Sequence, residues 1–402
     1  MKNILLKLYV KGEFLLVGML LLFFTTDALN VVLIGLTDGQ IGNTSAYTEM
    51  SAVSKGLVLL VYCINALVLN ARRTITIAGV IVFFLINAAI IYCGEGFEFY
   101  FTWILHVAKL ALPFVLYDIF AKLCINNVHK VFSIYMGLIL VQTLIVIIAF
   151  IFGIDLFLTY GHHRFGYSGF ITAQNEASFY YVLAVIFLLK YWELSHQKLT
   201  IGLLLLVLLA SVFLGSKAVF ILYFSLAIYI ALTQKRFNKF NVLGGLGGFV
   251  LTSLLMLYLV GYFDFYINYW QEADFLTMLT SFRNLLIQER LPGVFARWEW
   301  YNYLFGGINP ATSFVEMDVI DLFTFGGLIG SLLYFILLFK TLFKFSRNNY
   351  LGWFLVSQYF IIGGLAGHVF ASGINAIYLA LTCYYLQESE KKKELVTVQS
   401  ID

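Results

Sequence analysis

Three arginines, Arg283, Arg290 and Arg297, recur at intervals of seven in a chain that is otherwise strongly apolar. A guanidinium presents paired donors in a rigid fork and keeps its charge at any working pH, so such a series suits phosphate or diphosphate oxygens. Two more cations stand in short polar interruptions: Arg164, inside Tyr160-Gly161-His162-His163-Arg164-Phe165-Gly166, and Lys217, directly after Gly215-Ser216. His368 follows Gly367 in a run of small residues, and a histidine titrating near neutrality is suited to accept a proton. Glu316, Asp318 and Asp321 close the arginine segment; carboxylates there can bind hydroxyls, orient an arginine or assist a base. Together these residues point to stabilising an anionic leaving group while a proton is removed.

Each residue has a plainer role to set beside that one. The arginines can grip lipid phosphates from an interfacial helix or pair with Glu289 and Glu299, Arg290 above all. Lys217 can snorkel to the interface, the acids can simply be solvated, and His368 can hydrogen-bond across closely packed helices. His106 and Lys109 lie within one apolar run, where internal pairing is the expected role and a proton relay the alternative. Gln174, Asn175 and Glu176 open another apolar run and must face a wet cavity or neighbouring helices rather than lipid. Adjacent His162 and His163 seldom chelate one ion, and Cys63, Cys93, Cys124 and Cys383 are scattered as packing residues. No metal, cofactor or nucleic acid is expected.

The elements that must position these residues are membrane helices. The 402 residues are 61% hydrophobic and 12% charged, with a mean hydropathy of +0.89, which excludes an ordinary soluble domain. The continuous apolar runs exclude a β-barrel. Twelve spans are predicted near 14–34, 54–70, 75–93, 101–121, 131–153, 172–190, 199–214, 218–233, 242–263, 319–340, 350–367 and 369–387. The fold class is therefore all-α, a polytopic bundle forming a single integral membrane domain over 1–402. The first span reads as retained rather than cleaved. Basic residues cluster in alternate loops, which puts both termini in the cytoplasm and the segment 264–318 outside.

That long outer loop carries seven acids against its three arginines, so the arginines are local features of an acidic segment. Its apolar residues at 275–279 and 285–287 recur with a helical period, and Pro292-Gly293 reads as a break between two short amphipathic helices. Arg283 and Arg290, two turns apart, then share a face; Arg297 joins them only if the break preserves direction.

The order of these features resembles the O-antigen ligase and polymerase superfamily, which includes capsular and exopolysaccharide polymerases. Carrying the resemblance are Arg164 with Gly166, Gln174 to Ser178, Gly215-Ser216-Lys217, the long loop with Arg283 and Arg297, Phe305 to Pro310, Glu316 to Asp321 leading into Gly326-Gly327-Leu328-Ile329-Gly330, and Gly367-His368. Two features depart from the family pattern: lysine stands at 217 where many members carry arginine, and Pro310 follows its glycines instead of preceding them. The resemblance implies an inverting, metal-independent glycosyltransferase of the bacterial cytoplasmic membrane, acting at the outer face on an undecaprenyl-diphosphate-linked glycan. It further implies Arg164, Lys217, Arg283 and Arg297 as diphosphate ligands with Arg290 a weaker member, His368 as base with Glu316 second, and Asn175, Asp318 and Asp321 as sugar-binding or supporting groups. Membrane lipid, a chain-length regulator and a flippase of the same pathway are the implied partners. A ligase, or a lipid-linked oligosaccharide flippase or exporter, are the alternatives; a flippase is expected to carry cations deep within its spans.

Overall fold

The computed structural model describes residues 12–36, 45–69, 72–91, 97–122, 128–159, 165–171, 173–233, 239–259, 261–262, 274, 277, 280–308 and 313–399. Arg164, His162, His163 and the stretch Phe275-Leu276 lie outside them.

Each of the twelve apolar segments overlaps a helix: α1 (Gly12–Leu36), α2 (Ser45–Leu69), α3 (Arg72–Ile91), α4 (Phe97–Lys122), α5 (Val128–Phe152), α6 (Gln174–Ser195), α7 (Lys198–Val212), α8 (Lys217–Thr233), α9 (Lys239–Leu259), α12 (Asp318–Lys340), α13 (Tyr350–Ala366) and α14 (Asn375–Gln399), with α10 (Arg283–Phe295) and α11 (Trp300–Phe305) between α9 and α12. Among the described residues, six stretches, lying in α1, α3, α4, α5, α6 and α12, are long and apolar enough to cross a bilayer. This is a helical membrane protein. The final helix starts at Asn375, six residues later than its apolar run, because 367–374 form an irregular connection that carries His368.

Helix α6 is the axis of the packing. Fifteen of its 22 residues are buried, against 28% of the span in α3, and it packs against α7, α8, α13 and α14. A helix apolar all round must be covered on every side, and the unbroken buried run Ala177–Leu189 is so covered. The outer helices are apolar on their outward faces too, with Leu199 83% and Leu232 78% exposed, as lipid contact requires.

Hydrogen bonds between helix ends define the two ends of the bundle. At one end Gln174 reaches the carbonyl of Leu214, Asn175 Nδ2 donates to Ala366 O at 2.6 Å, and Asp318 meets the connection after α13. This end gathers the starts of α6, α8 and α12. At the other end Lys122 Nζ lies 2.6 Å from Asp118 Oδ2, and Gln387 of α14 donates to Leu342 O at 2.8 Å, beyond the end of α12.

The expected break at Pro292 is corrected by the structure. Pro292 lies inside α10, which continues to Phe295, and the interruption falls upstream, where Ser281 and Phe282 both adopt positive φ (54° and 68°). A proline on an exposed face removes one helical hydrogen bond, while burial of Val294 and packing of Phe295 on Trp298 hold the last turn in place.

Candidate functional site

The site is organised by the segment 313–317, which leads into α12. Arg283 donates from Nε to Glu316 O at 2.8 Å, and Arg290 donates to Phe314 O. From the other side Asp321 accepts from the backbone N–H of Val315 (2.7 Å) and of Met317 (3.0 Å). Carbonyls 314 and 316 therefore face the arginines while amides 315 and 317 face the carboxylate. Arg283 also donates from Nη1 to Thr280 O and from Nη2 to Glu316 Oε2, both at 3.3 Å, and its side chain is 9% exposed against 45% for Glu316. Arginines 283 and 290 thus share a face, and both clamp backbone.

Asp318 performs the same service for the other loop. Its carboxylate accepts three consecutive amides, His368 N at 2.8 Å, Val369 N at 2.7 Å and Phe370 N at 2.9 Å, a backbone nest closed on an anion. This fixes the turn that projects His368. Gly367, at φ +65°, lets the turn approach the backbone of Glu316, where any Cβ would overlap. Among the described residues, four of the five non-glycine positions with positive φ, Ser281, Phe282, Glu316 and His368, flank this junction. Each costs on the order of 1–3 kcal/mol, so their concentration here marks a junction held in shape by its surroundings.

Between α4, α12 and this turn lies a cavity of about 290 Å³ lined by His106, Lys109, Asp318, Asp321 and His368 together with Thr102, Phe314 and Phe370. From Thr102 to Leu110 it follows α4 for about 12 Å at 1.5 Å per residue. Both carboxylates are buried, while His368 is exposed at the rim. His106 sits edge-on to Phe314 and Phe325, with ring centroids 4.7 and 4.5 Å away. Two histidines and a lysine so placed can meet an anion and take up a proton.

Comparison with family models, with curated proteins and with solved structures finds no match to this chain. The site is therefore read from its own geometry.

The remaining sequence candidates distribute as follows. Asn175 ties α6 to the end of α13, and its neighbour Glu176 accepts from Ser372 Oγ at 2.7 Å, so this polar triplet faces neighbouring backbone and holds the 367–374 connection from behind. Lys217 begins α8 after a hairpin in which Gly215, at φ +61°, packs against the carbonyl of Phe165. Arg297 is exposed and, from the turn after α10, donates from Nε to Gly293 O in the last turn of that helix at 2.9 Å, while Arg283 and Arg290 reach 314–316. Among the described residues no group of three metal-ligating side chains occurs.

Two cavity residues, His106 and Lys109, were assigned by sequence to internal pairing; they line the cavity instead. Their i, i+3 spacing puts them on one helix face, and an ionisable pair inside a span is the signal that identifies them. A third feature, the buried pair Asp27–Lys55 at 2.7 Å between α1 and α2, was not foreseen.

Proposed function

We propose that the chain is a polysaccharide polymerase of a bacterial cytoplasmic membrane, with twelve spans, both termini cytoplasmic and the His368 end facing outward. The observation that supports this reading most is the confluence of His368, His106 and Lys109 in one cavity at the end of a membrane bundle. The reaction joins a lipid-linked acceptor to an undecaprenyl-diphosphate-linked glycan. The acceptor hydroxyl oxygen attacks the anomeric carbon, the bond from that carbon to the diphosphate oxygen breaks, and the configuration inverts.

His368 takes the hydroxyl proton, held in place by Asp318 through the turn amides. Glu316, partly open to solvent, is the second base. Arg283 supplies charge where the diphosphate departs and exchanges its contact with Glu316 for phosphate oxygen as the substrate enters. No metal ion is required by this scheme. Membrane lipid surrounds the bundle, and a chain-length regulator and a flippase of the same pathway are its expected companions.

Reconstitution with an undecaprenyl-diphosphate repeat unit tests the proposal. The wild type produces a ladder of glycan lengths, and His368→Asn and Arg283→Ala suppress it. A ladder insensitive to both substitutions overturns the assignment.

A flippase is the second reading, favoured by Lys55 and Lys109, which lie near the middle of α2 and α4. Transfer of the lipid-linked unit across a sealed vesicle without ladder growth establishes it in place of the polymerase. Ligation to a different acceptor is distinguished by supplying repeat unit alone, from which a ligase forms no ladder.

A further inference from the structure

Of the arginines singled out by spacing, Arg283 and Arg290 hold the backbone of 314–316, and Arg297 reaches back to Gly293 O in the last turn of α10. Lysines within the bundle divide differently. Lys55 and Lys109 both pack on Gly373, where an added Cβ would lie 3.6 Å from Lys55 Cδ and 3.8 Å from Lys109 Cγ. Lys55 is matched, with Nζ at 2.7 Å from both Asp27 Oδ1 and Ser51 Oγ.

Lys109 makes no hydrogen bond or ion pair with any described residue, although it lines the cavity with two carboxylates. Those carboxylates are spoken for, Asp318 by three backbone amides and Asp321 by two. A lysine on a membrane span that stands open to the cavity, while the acids lining that cavity face backbone donors, is a charge free to meet an external anion.

We infer that Lys109 is the cation that receives the diphosphate of the lipid-linked substrate inside the cavity, with His106, one turn earlier on the same face, completing the anion site. The identity of the ligand rests on the glycosyl-transfer reading; the anion site itself rests on the unmatched lysine. A volume of about 290 Å³ suits a phosphate-bearing headgroup and leaves the glycan and the polyprenyl chain outside. Lys109 and His368 stand on different parts of the cavity wall, α4 and the connection after α13. The arrangement separates charge binding from proton removal.

The test uses full-length protein in nanodiscs of zwitterionic lipid and undecaprenyl diphosphate as the probe. Wild type binds the probe, and inorganic pyrophosphate displaces it. Lys109→Gln weakens binding by about tenfold or more, the loss expected of a charge-assisted contact, while Lys109→Arg, which keeps the charge, stays within about threefold of wild type. Replacing Asp27 and Lys55 together by leucine and methionine leaves binding unchanged.

Wild-type affinity in Lys109→Gln overturns the inference, as does absence of binding to wild type. Equal displacement by phosphatidylglycerol overturns it in favour of a bulk-lipid contact. Lys109-dependent binding without ladder growth overturns the polymerase reading and leaves the anion site standing; ladder growth with Lys109-independent binding does the reverse.

Discussion

The two ends of the bundle use the same residue types and arrive at opposite states. At the end away from the cavity, Asp118 is 1% exposed and accepts from Tyr62 Oη at 2.8 Å and from Thr74 Oγ1 at 3.0 Å; Lys122 lies 2.6 Å away and Arg73 3.9 Å away. Its acceptors meet side-chain donors and cations, so charge is neutralised locally and nothing is left for a ligand. At the cavity end, Asp318 and Asp321 spend their oxygens on backbone amides, and the bases beside them keep their valences. A carboxylate matched by a lysine locks a structure; a carboxylate matched by amides shapes a loop and leaves the lysine available.

The comparison breaks first at His368. Its side chain stands exposed at the rim, so His368→Asn, which tolerates the left-handed backbone of this position, is expected to lower ladder formation by about 10²–10⁴-fold with an unchanged thermal midpoint. A large fall in the midpoint would make the residue structural. Next comes Asp118→Ala, which strands Lys122 and Arg73 beside a buried gap. Unfolding should be easier by about 3–5 kcal/mol, with the rate per folded molecule unaltered; a rate loss without a stability loss would contradict the division between the two ends.

Asp318→Asn is expected to sit between these two. It turns one acceptor into a donor facing amides, so stability should fall by about 1–3 kcal/mol and activity should fall with it as the turn carrying His368 loosens. Thermal unfolding and ladder length measured on the same preparation check the link. The smallest effects separate the arginines. Arg283→Lys keeps charge but loses the fork that holds both Glu316 O and Oε2, at about 1–2 kcal/mol, whereas Arg297→Ala should stay within about 0.5 kcal/mol. An Arg297→Ala variant that abolished the ladder would restore the full arginine series to the site.

Much of the scaffold was legible because lipid imposes long apolar runs, and each of the twelve runs overlaps a helix. The break before α10 was not, since it depends on Ser281 and Phe282 adopting a backbone that their residue types disfavour. Proline was the visible breaker and, on an exposed face, a weak one. Equal spacing made Arg283, Arg290 and Arg297 look equivalent, yet the first two reach 314–316 and the third, past the end of α10, turns back to Gly293 O. Spacing along a chain says which residues share a face, and is silent on what that face meets.

What the sequence determined by itself is the membrane setting and the short list of groups capable of chemistry, because hydropathy and ionisation are properties of residues taken singly. Which of those groups remain available was decided only by the tertiary structure. Availability depends on where each partner's lone pairs are spent: Asp27 and Asp118 spend theirs on lysines, Asp318 and Asp321 on amides brought from other parts of the chain, and Lys109 is left facing the cavity.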